Sequence, residues 1–178
     1  NLCPACLPAI EAHERLLRRY EANPSPDVRA DLMTTGREEA RKMLAAALRV
    51  TPEEIVITRN TTESNNVVSS GLDLRAGDEV VVWADNHPSN LNAWRTKAQR
   101  FGFTVVTVPT LPAHPGAQGY VDLFEKAVTP RTRLIAVTHV SSNSGDLLPV
   151  AEICAMARSR GVLSLVDGAQ AFGVLDLQ

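Results

Sequence analysis

From residue 55 onward, short runs rich in β-branched residues alternate with helical patterns, and this alternation restricts the fold more than any other feature. Ile55–Thr58 precedes a helical pattern over Thr62–Leu72, and Glu79–Trp83 precedes one over Ser89–Phe101. Phe103–Val108 is followed by Val121–Val128, Arg133–Thr138 by Pro149–Arg160, and the series ends on Val162–Val166. Strands that alternate with helices predict an α/β fold, a three-layer sandwich with a mostly parallel sheet covered by helices on both faces. The punctuation agrees: Gly102 and Gly161 fall just past helix ends, Pro149 suits a first helical turn, and Arg158 and Arg160 complement a helix carboxyl terminus. One irregular connection, Pro109–Gly119, reads as a loop with a solvated His114.

Two helices precede the series. Ile10, His13, Leu16, Leu17 and Tyr20 form an amphipathic pattern over Pro8–Tyr20 that the NPSP at Asn23–Pro26 ends. Thr35 and Glu38 have capping-box spacing ahead of a face made of Ala40, Met43, Leu44, Ala47 and Leu48.

Composition removes several function classes. The 178 residues are 44% hydrophobic, enough for one core, and the net charge of −2 comes from dispersed rather than clustered charges. Nothing marks a nucleic-acid or anionic-membrane surface. No apolar run reaches the ~20 residues of a membrane span, and the amino end lacks a signal-peptide profile. The chain opens on Asn1 and stops at Gln178 within a continuing VLDLQ pattern, so both ends read as cuts. Three cysteines argue against a disulfide framework. Cys3 and Cys6 form a CPAC pair with no second pair to complete a metal site, so a plain segment leading into a helix is the expectation and no metal is expected. Cys154, in phase with Val150, Ile153 and Ala157, is expected in the core. The compartment stays open, with the cytoplasm favoured.

Four polar clusters each follow a strand candidate: Asn60–Glu63, Asn86–Asn90, His139–Gly145 and Asp167–Gln170. In a parallel sheet their strand ends share one edge, where open α/β sheets bind ligands, so the four clusters are expected to meet at one crevice. In RNTTES, a helix amino terminus with two hydroxyls suits a phosphate, while Asn60 and Glu63 equally have the spacing of a capping box. GxGxxG and GxxxxGK[ST] are missing, which disfavours a dinucleotide fold or a P-loop. In DNHPSN, Ser89 or Asn90 is placed to cap the following helix, and His87 then offers a free ring for stacking on a flat heteroaromatic ligand or for moving a proton. Asp167 could simply form a turn with Gly168. Flanked by an apolar strand and by Ala169, Ala171 and Phe172, it is instead expected to be partly desolvated and to need a cation, such as a protonated pyridinium nitrogen.

REEARKMLAAAL, EEIVITRNTTESNNVV, AGDEVVVWADNHPSN, TPRTRLIAVTHVSSNSG and LVDGAQAFG, in this order from Thr35 to the end, resemble the amino-terminal half of a class V aminotransferase-family enzyme. This pyridoxal phosphate fold, fold type I, also includes cysteine desulfurases, isopenicillin N epimerase-like proteins and kynureninases. The resemblance implies an amino-terminal helical segment over residues 1–30 and part of a cofactor-binding large domain over 31–178, truncated before the Schiff-base lysine. It implies that Thr61 and Thr62 bind the phosphate of pyridoxal 5'-phosphate, that His87 stacks on its ring, that Asp167 holds the ring nitrogen protonated, and that Gln170 lies near the phenolic oxygen. His87 and Asp167 are thereby the catalytic candidates. Many relatives carry an asparagine at the position of Ser142; here Asn143 follows it, and either residue can be the one that reaches the cofactor.

The implied activity is pyridoxal phosphate chemistry on an amino acid, through an external aldimine and a quinonoid, of epimerase-like or desulfurase-like type in a homodimer. RNTTE and NHPSN lean toward the epimerase-like branch, since the second motif of desulfurases usually carries paired histidines. The family lysine is expected beyond Gln178, as are the carboxylate-binding arginine and any desulfurase cysteine, while Lys42, Lys97 and Lys126 are expected in surface roles within helices. The alternative is a non-catalytic fragment or a pseudoenzyme subunit whose partner chain supplies the lysine.

Overall fold

The computed structural model describes residues 4–176; Cys3 of the CPAC pair lies outside them. The chain divides into two compact units, residues up to Ile57 and Thr58–Asp176, described in turn.

The first unit is helical. It contains α1 (Leu7–Ala22), α2 (Pro26–Ala30), a π-helical turn over Asp31–Thr35, α3 (Gly36–Leu48) and a 3-10 turn over Pro52–Glu54. A proline in the first turn starts α1 and α2, and the Ser25 hydroxyl caps α2 by accepting from the Val28 N–H at 3.4 Å. The expected capping box at Thr35 and Glu38 does not form. Thr35 already has helical geometry (φ −60°, ψ −53°), because the preceding turn runs straight into α3 and leaves no helix end to cap. Glu38 instead pairs with Arg41 at 2.6 Å, which holds its carboxyl below the usual range. A reciprocal box forms further on, where Thr51 N–H donates to Glu54 at 2.8 Å. On α3, Met43 is exposed and Ala45 is the buried residue.

The expected strand at Ile55–Thr58 is absent. The segment has β-favouring composition and Ile55 is extended, but no strand among the described residues pairs with it. The Ile55 carbonyl accepts from Arg41 Nε at 3.0 Å and the Ile57 carbonyl from Arg37 at 3.4 Å. β propensity describes fit to a pleated neighbour, and here an arginine takes the neighbour's place.

The second unit is the α/β sandwich. It begins with α4 (Thr61–Gly71) and continues β1 (Glu79–Trp83), α5 (Pro88–Phe101), β2 (Thr104–Val108), α6 (Gly116–Ala127), β3 (Thr132–Thr138), α7 (Val150–Ser159) and β4 (Leu163–Asp167). These four strands pair in parallel, in the order β2-β1-β3-β4. Inner strand β1, EVVVW, is buried throughout, and its alternating side chains feed two cores. Val81 and Trp83 join Ile135, Val137, Tyr120, Phe124 and Ile153 on the face that α6 and α7 cover. Val80 and Val82 join Leu134, Ala136, Leu91 and Trp94 on the face of α5, against which α4 also packs. Gly102 ends α5 at φ 80°, a left-handed conformation that glycine adopts without strain.

Several local expectations shift. Helix α6 starts at Gly116, so the loop shortens to 109–115; His114 is exposed and its Nδ1 accepts from the Gly116 N–H at 3.0 Å. Cys154 is half-buried at the margin of the α7 face rather than in the core. Lys42 and Lys126 are exposed, and Lys97 is partly so. It is half-buried and donates from α5 to Ser69 Oγ (2.6 Å) and Asn66 Oδ1 (3.1 Å) of α4, and burial pushes its ammonium below the usual value.

Candidate functional site

The order β2-β1-β3-β4 reverses direction at β1, because the chain leaves β1 toward β2 on one side and returns to place β3 on the other. Loops that leave β1 and β3 must therefore diverge, opening a crevice at the carboxyl edge between them. A cleft of about 230 Å³ lies there, lined by Asn60, Thr61 and Thr62 of the α4 start, His87 and Ser89, Thr138, Val140 and Ser142, and Asp167, Ala169 and Gln170. All four polar clusters meet in it. Thr138, like Leu134 and Ala136 four and two residues before it, belongs to the strand register that faces α4 and α5, so the cleft opens on that side of the sheet.

Asn60 caps α4, its Oδ1 accepting from the Glu63 N–H at 3.0 Å. The reciprocal half of a capping box is missing, since Glu63 turns to the Arg59 N–H at 2.7 Å and to the Arg59 guanidinium. The first-turn amides of Thr61 and Thr62 have no acceptor within the helix, and the two hydroxyls stand beside them. This is the geometry of an anion site.

His87 is itself the cap of α5, in place of the expected Ser89 or Asn90. Its Nδ1 accepts from the Ser89 N–H at 3.2 Å with Ser89 Oγ at 2.8 Å. The acceptor role of Nδ1 places the proton of the neutral ring on Nε2. The ring is thus tethered through one edge rather than free, while an in-plane bond leaves its faces available. Asn90 turns inward, fully buried, and accepts from Trp94 Nε1 at 3.1 Å.

Asp167 ends β4 as its last residue rather than following it, opposite Thr138 in the ladder. It is 5% exposed. Its Oδ1 accepts from the Ala169 N–H at 3.2 Å and its Oδ2 from Asn65 Nδ2 at 3.3 Å. Among the described residues no cation pairs with it, and it lines the cleft. Gln170 is exposed on the same rim.

The loop after β3 separates Ser142 from Asn143. Asn143 Nδ2 donates to Asp85 at 2.7 Å, away from the cleft, whereas Ser142 lines it. Ser141, buried, donates to Asp85 and accepts from the Asn143 and Ser144 N–H groups at 3.1 and 3.0 Å. At the far end of the loop Tyr120 donates to Asp146 at 2.8 Å; burial, reinforced by that carboxylate, pushes its hydroxyl up to about 12. Asn86, 2% exposed, joins the two strands where they part: Nδ2 donates to the Ala136 carbonyl at 2.9 Å, and Oδ1 accepts from the Thr138 N–H (2.9 Å) and hydroxyl (2.8 Å). Sequence reasoning gave no role to Asn65, Asp85 or Asn86, whose partners lie 50 or more residues away. Each stands beside other polar residues in sequence, so no local signal set them apart.

These residues suit pyridoxal phosphate: an anion site, a ring-bearing side chain and a buried carboxylate without a cation share one cleft. Among the described residues that line it there is no lysine.

Comparison with known proteins agrees with this geometry. The family model for class-V aminotransferases matches residues 3–178. A probable cysteine desulfurase of Methanothermobacter thermautotrophicus is 36% identical over 98% of this chain and 43% of its own length. The isopenicillin N epimerase of Streptomyces clavuligerus is 37% identical over 78% of this chain and 35% of its own. Among solved structures, a C-DES variant with glycine covalently linked to its PLP cofactor superposes with a TM-score of 0.86 at 31% identity, over 96% of this chain and 45% of that one. The apo cysteine desulfurase of Thermococcus onnurineus gives 0.82 at 29%, over 99% and 44%. The chain thus spans less than half the length of these relatives. With the family model covering it almost from end to end, the chain belongs to the class-V aminotransferase family.

Proposed function

We propose that this chain carries the cofactor-binding part of a pyridoxal phosphate-dependent enzyme acting on an amino acid, with epimerase-like or desulfurase-like chemistry at or next to Cα, in a homodimer. The observation that carries the reading is the buried Asp167 carboxylate, which shares a cleft with Thr61, Thr62 and His87 and has only neutral donors around it. The names of the relatives, a probable cysteine desulfurase and an isopenicillin N epimerase, support the substrate class.

Thr61 and Thr62 would take the phosphate with their hydroxyls and first-turn amides, aided by the α4 dipole. His87, tethered by Ser89, would present a ring face to the pyridine. Asp167 would hold the proton on the ring nitrogen, Gln170 would stand near the phenolic oxygen, and Ser142 would add a contact from the loop after β3. When bound, the ring supplies an electron sink for a carbanion at the substrate. A second reading, that the chain furnishes cofactor-contacting surface while another segment or chain brings the amine, rests on the cleft lining, in which no lysine stands among the described residues.

Titration with pyridoxal phosphate, followed by absorbance and by borohydride reduction with peptide mapping, tests both. Saturable binding that Asp167→Ala abolishes and inorganic phosphate competes is the expected result, and no saturable binding sinks the proposal. A reduced adduct at one lysine would remove the second reading.

A further inference from the structure

Helix α4 contributes more than its amino terminus. Thr61 and Asn65 are four residues apart and so share one helix face. Asn65 is 3% exposed, in a position where a packed helix ordinarily places an apolar side chain. Its Nδ2 reaches across to Asp167 Oδ2, joining residues 102 apart in sequence. The other carboxylate oxygen accepts from the Ala169 N–H, on the turn that follows β4. Each oxygen of Asp167 thus has one donor, from two different elements, and rotation of the carboxylate breaks at least one of these bonds. A leucine in place of Asn65 would fill the space without a donor, and an aspartate would set a second carboxylate against the first.

We infer that Asn65 is the positioning residue for Asp167, fixing the plane of its carboxylate, and that α4 thereby sets both ends of one ligand, the anion at Thr61 and Thr62 and the cationic ring nitrogen at Asp167. The second half of this inference rests on the proposed pyridoxal phosphate reading; the first does not. Asn65 touches no reacting atom in it and acts only through Asp167.

Two measurements decide it. In cofactor-free protein, a double-mutant cycle of Asn65→Ala and Asp167→Ala on urea unfolding is expected to be non-additive by about fivefold or more in the folded-to-unfolded ratio. Additive effects overturn the inference. If Asn65→Ala does not fold, Asn65→Ser takes its place in the same cycle. In the second measurement, Asn65→Ala is expected to weaken pyridoxal phosphate binding about tenfold, in the range of a hydrogen bond to a charged group. Against the analogue with carbon in place of the ring nitrogen, the same variant should cost less than about twofold, because the group that Asp167 meets is gone. Equal losses on both ligands would mean that Asn65 merely supports the fold, and would overturn its positioning role. If neither ligand binds wild-type protein, the proposed function falls, and the cofactor-free cycle alone then upholds or overturns the Asn65 assignment.

Discussion

On the β1–β3 side of the cleft buried side-chain hydrogen bonds hold the chain where the ladder breaks, whereas on the α4 side the helix start is a cap in contact with solvent, with the buried bond from Asn65 to Asp167 one turn further along. Asn86 ties Ala136 and Thr138 together from a buried position, and Ser141 with Asp85 closes the loop that carries Ser142. At α4, Asn60 closes the helix end, the Arg59–Glu63 pair is exposed, and Thr62 stands open to solvent. The difference follows from topology. Where β1 and β3 diverge the ladder stops, and buried backbone groups at the break must find side-chain partners. At a helix start the first amides are unpaired by construction, and leaving them open creates a place for an anion. The wall at the β1–β3 break therefore carries stability, and the wall at the open start of α4 carries binding capacity.

The largest test of this contrast is Asn86→Ala. It strands the Ala136 carbonyl and the Thr138 N–H and hydroxyl in a buried place, so a loss of about 3 kcal/mol in unfolding free energy is expected from urea melts. Asn86→Asp should also destabilise, because a carboxylate oxygen would face the Ala136 carbonyl.

Next comes Glu79, at the opposite, amino-terminal end of β1. The Thr129 hydroxyl at 2.5 Å and then Arg131 hold its carboxyl below the usual range against the effect of burial. A carboxyl depressed on folding contributes stability above its unfolded pKa and loses it as pH falls through the folded one. Glu79→Gln should therefore cost about 1 kcal/mol at pH 7. Thermal melts should show the gap to wild type closing as the pH drops below about 4, near the ordinary range of a glutamate; a gap independent of pH would contradict the assignment.

On the binding wall the order reverses. The double variant Thr61→Val, Thr62→Val is expected to weaken pyridoxal phosphate binding about tenfold, while the melting free energy stays within about 0.5 kcal/mol of wild type. A loss of stability comparable to that of Asn86→Ala would erase the distinction between the walls. The smallest effect belongs to Arg59→Ala, which removes an exposed pair and should leave the melting curve unmoved.

Much of this fold could be read locally. The bounds of β1 match the expected run at both ends, and α1, α4, α5 and α7 fall within two residues of their patterns, because apolar periodicity and helix stops act over a few residues. The failures are also local readings, made where something else had the deciding part. Ile55–Thr58 has the composition of a strand without a pairing partner, and Thr35 has the spacing of a cap inside a helix that had already begun. At the site, all four clusters were visible as polar breaks after apolar runs. Two details were not: that Ser142 lines the cleft while Asn143 bonds to the Asp85 carboxylate, and the place of Asn65.

The sequence by itself determined the kinds of element, their succession and the polar character of the loops between them, since each is written in a period of two or 3.6 residues. Tertiary structure decided the order β2-β1-β3-β4, the edge at which the loops meet, and the pairing of Asn65 with Asp167 and of Asn86 with Thr138. Such contacts join residues 52 and 102 positions apart, a separation over which no local periodicity carries information, so they are fixed only when packed strands and helices bring those residues within hydrogen-bond reach.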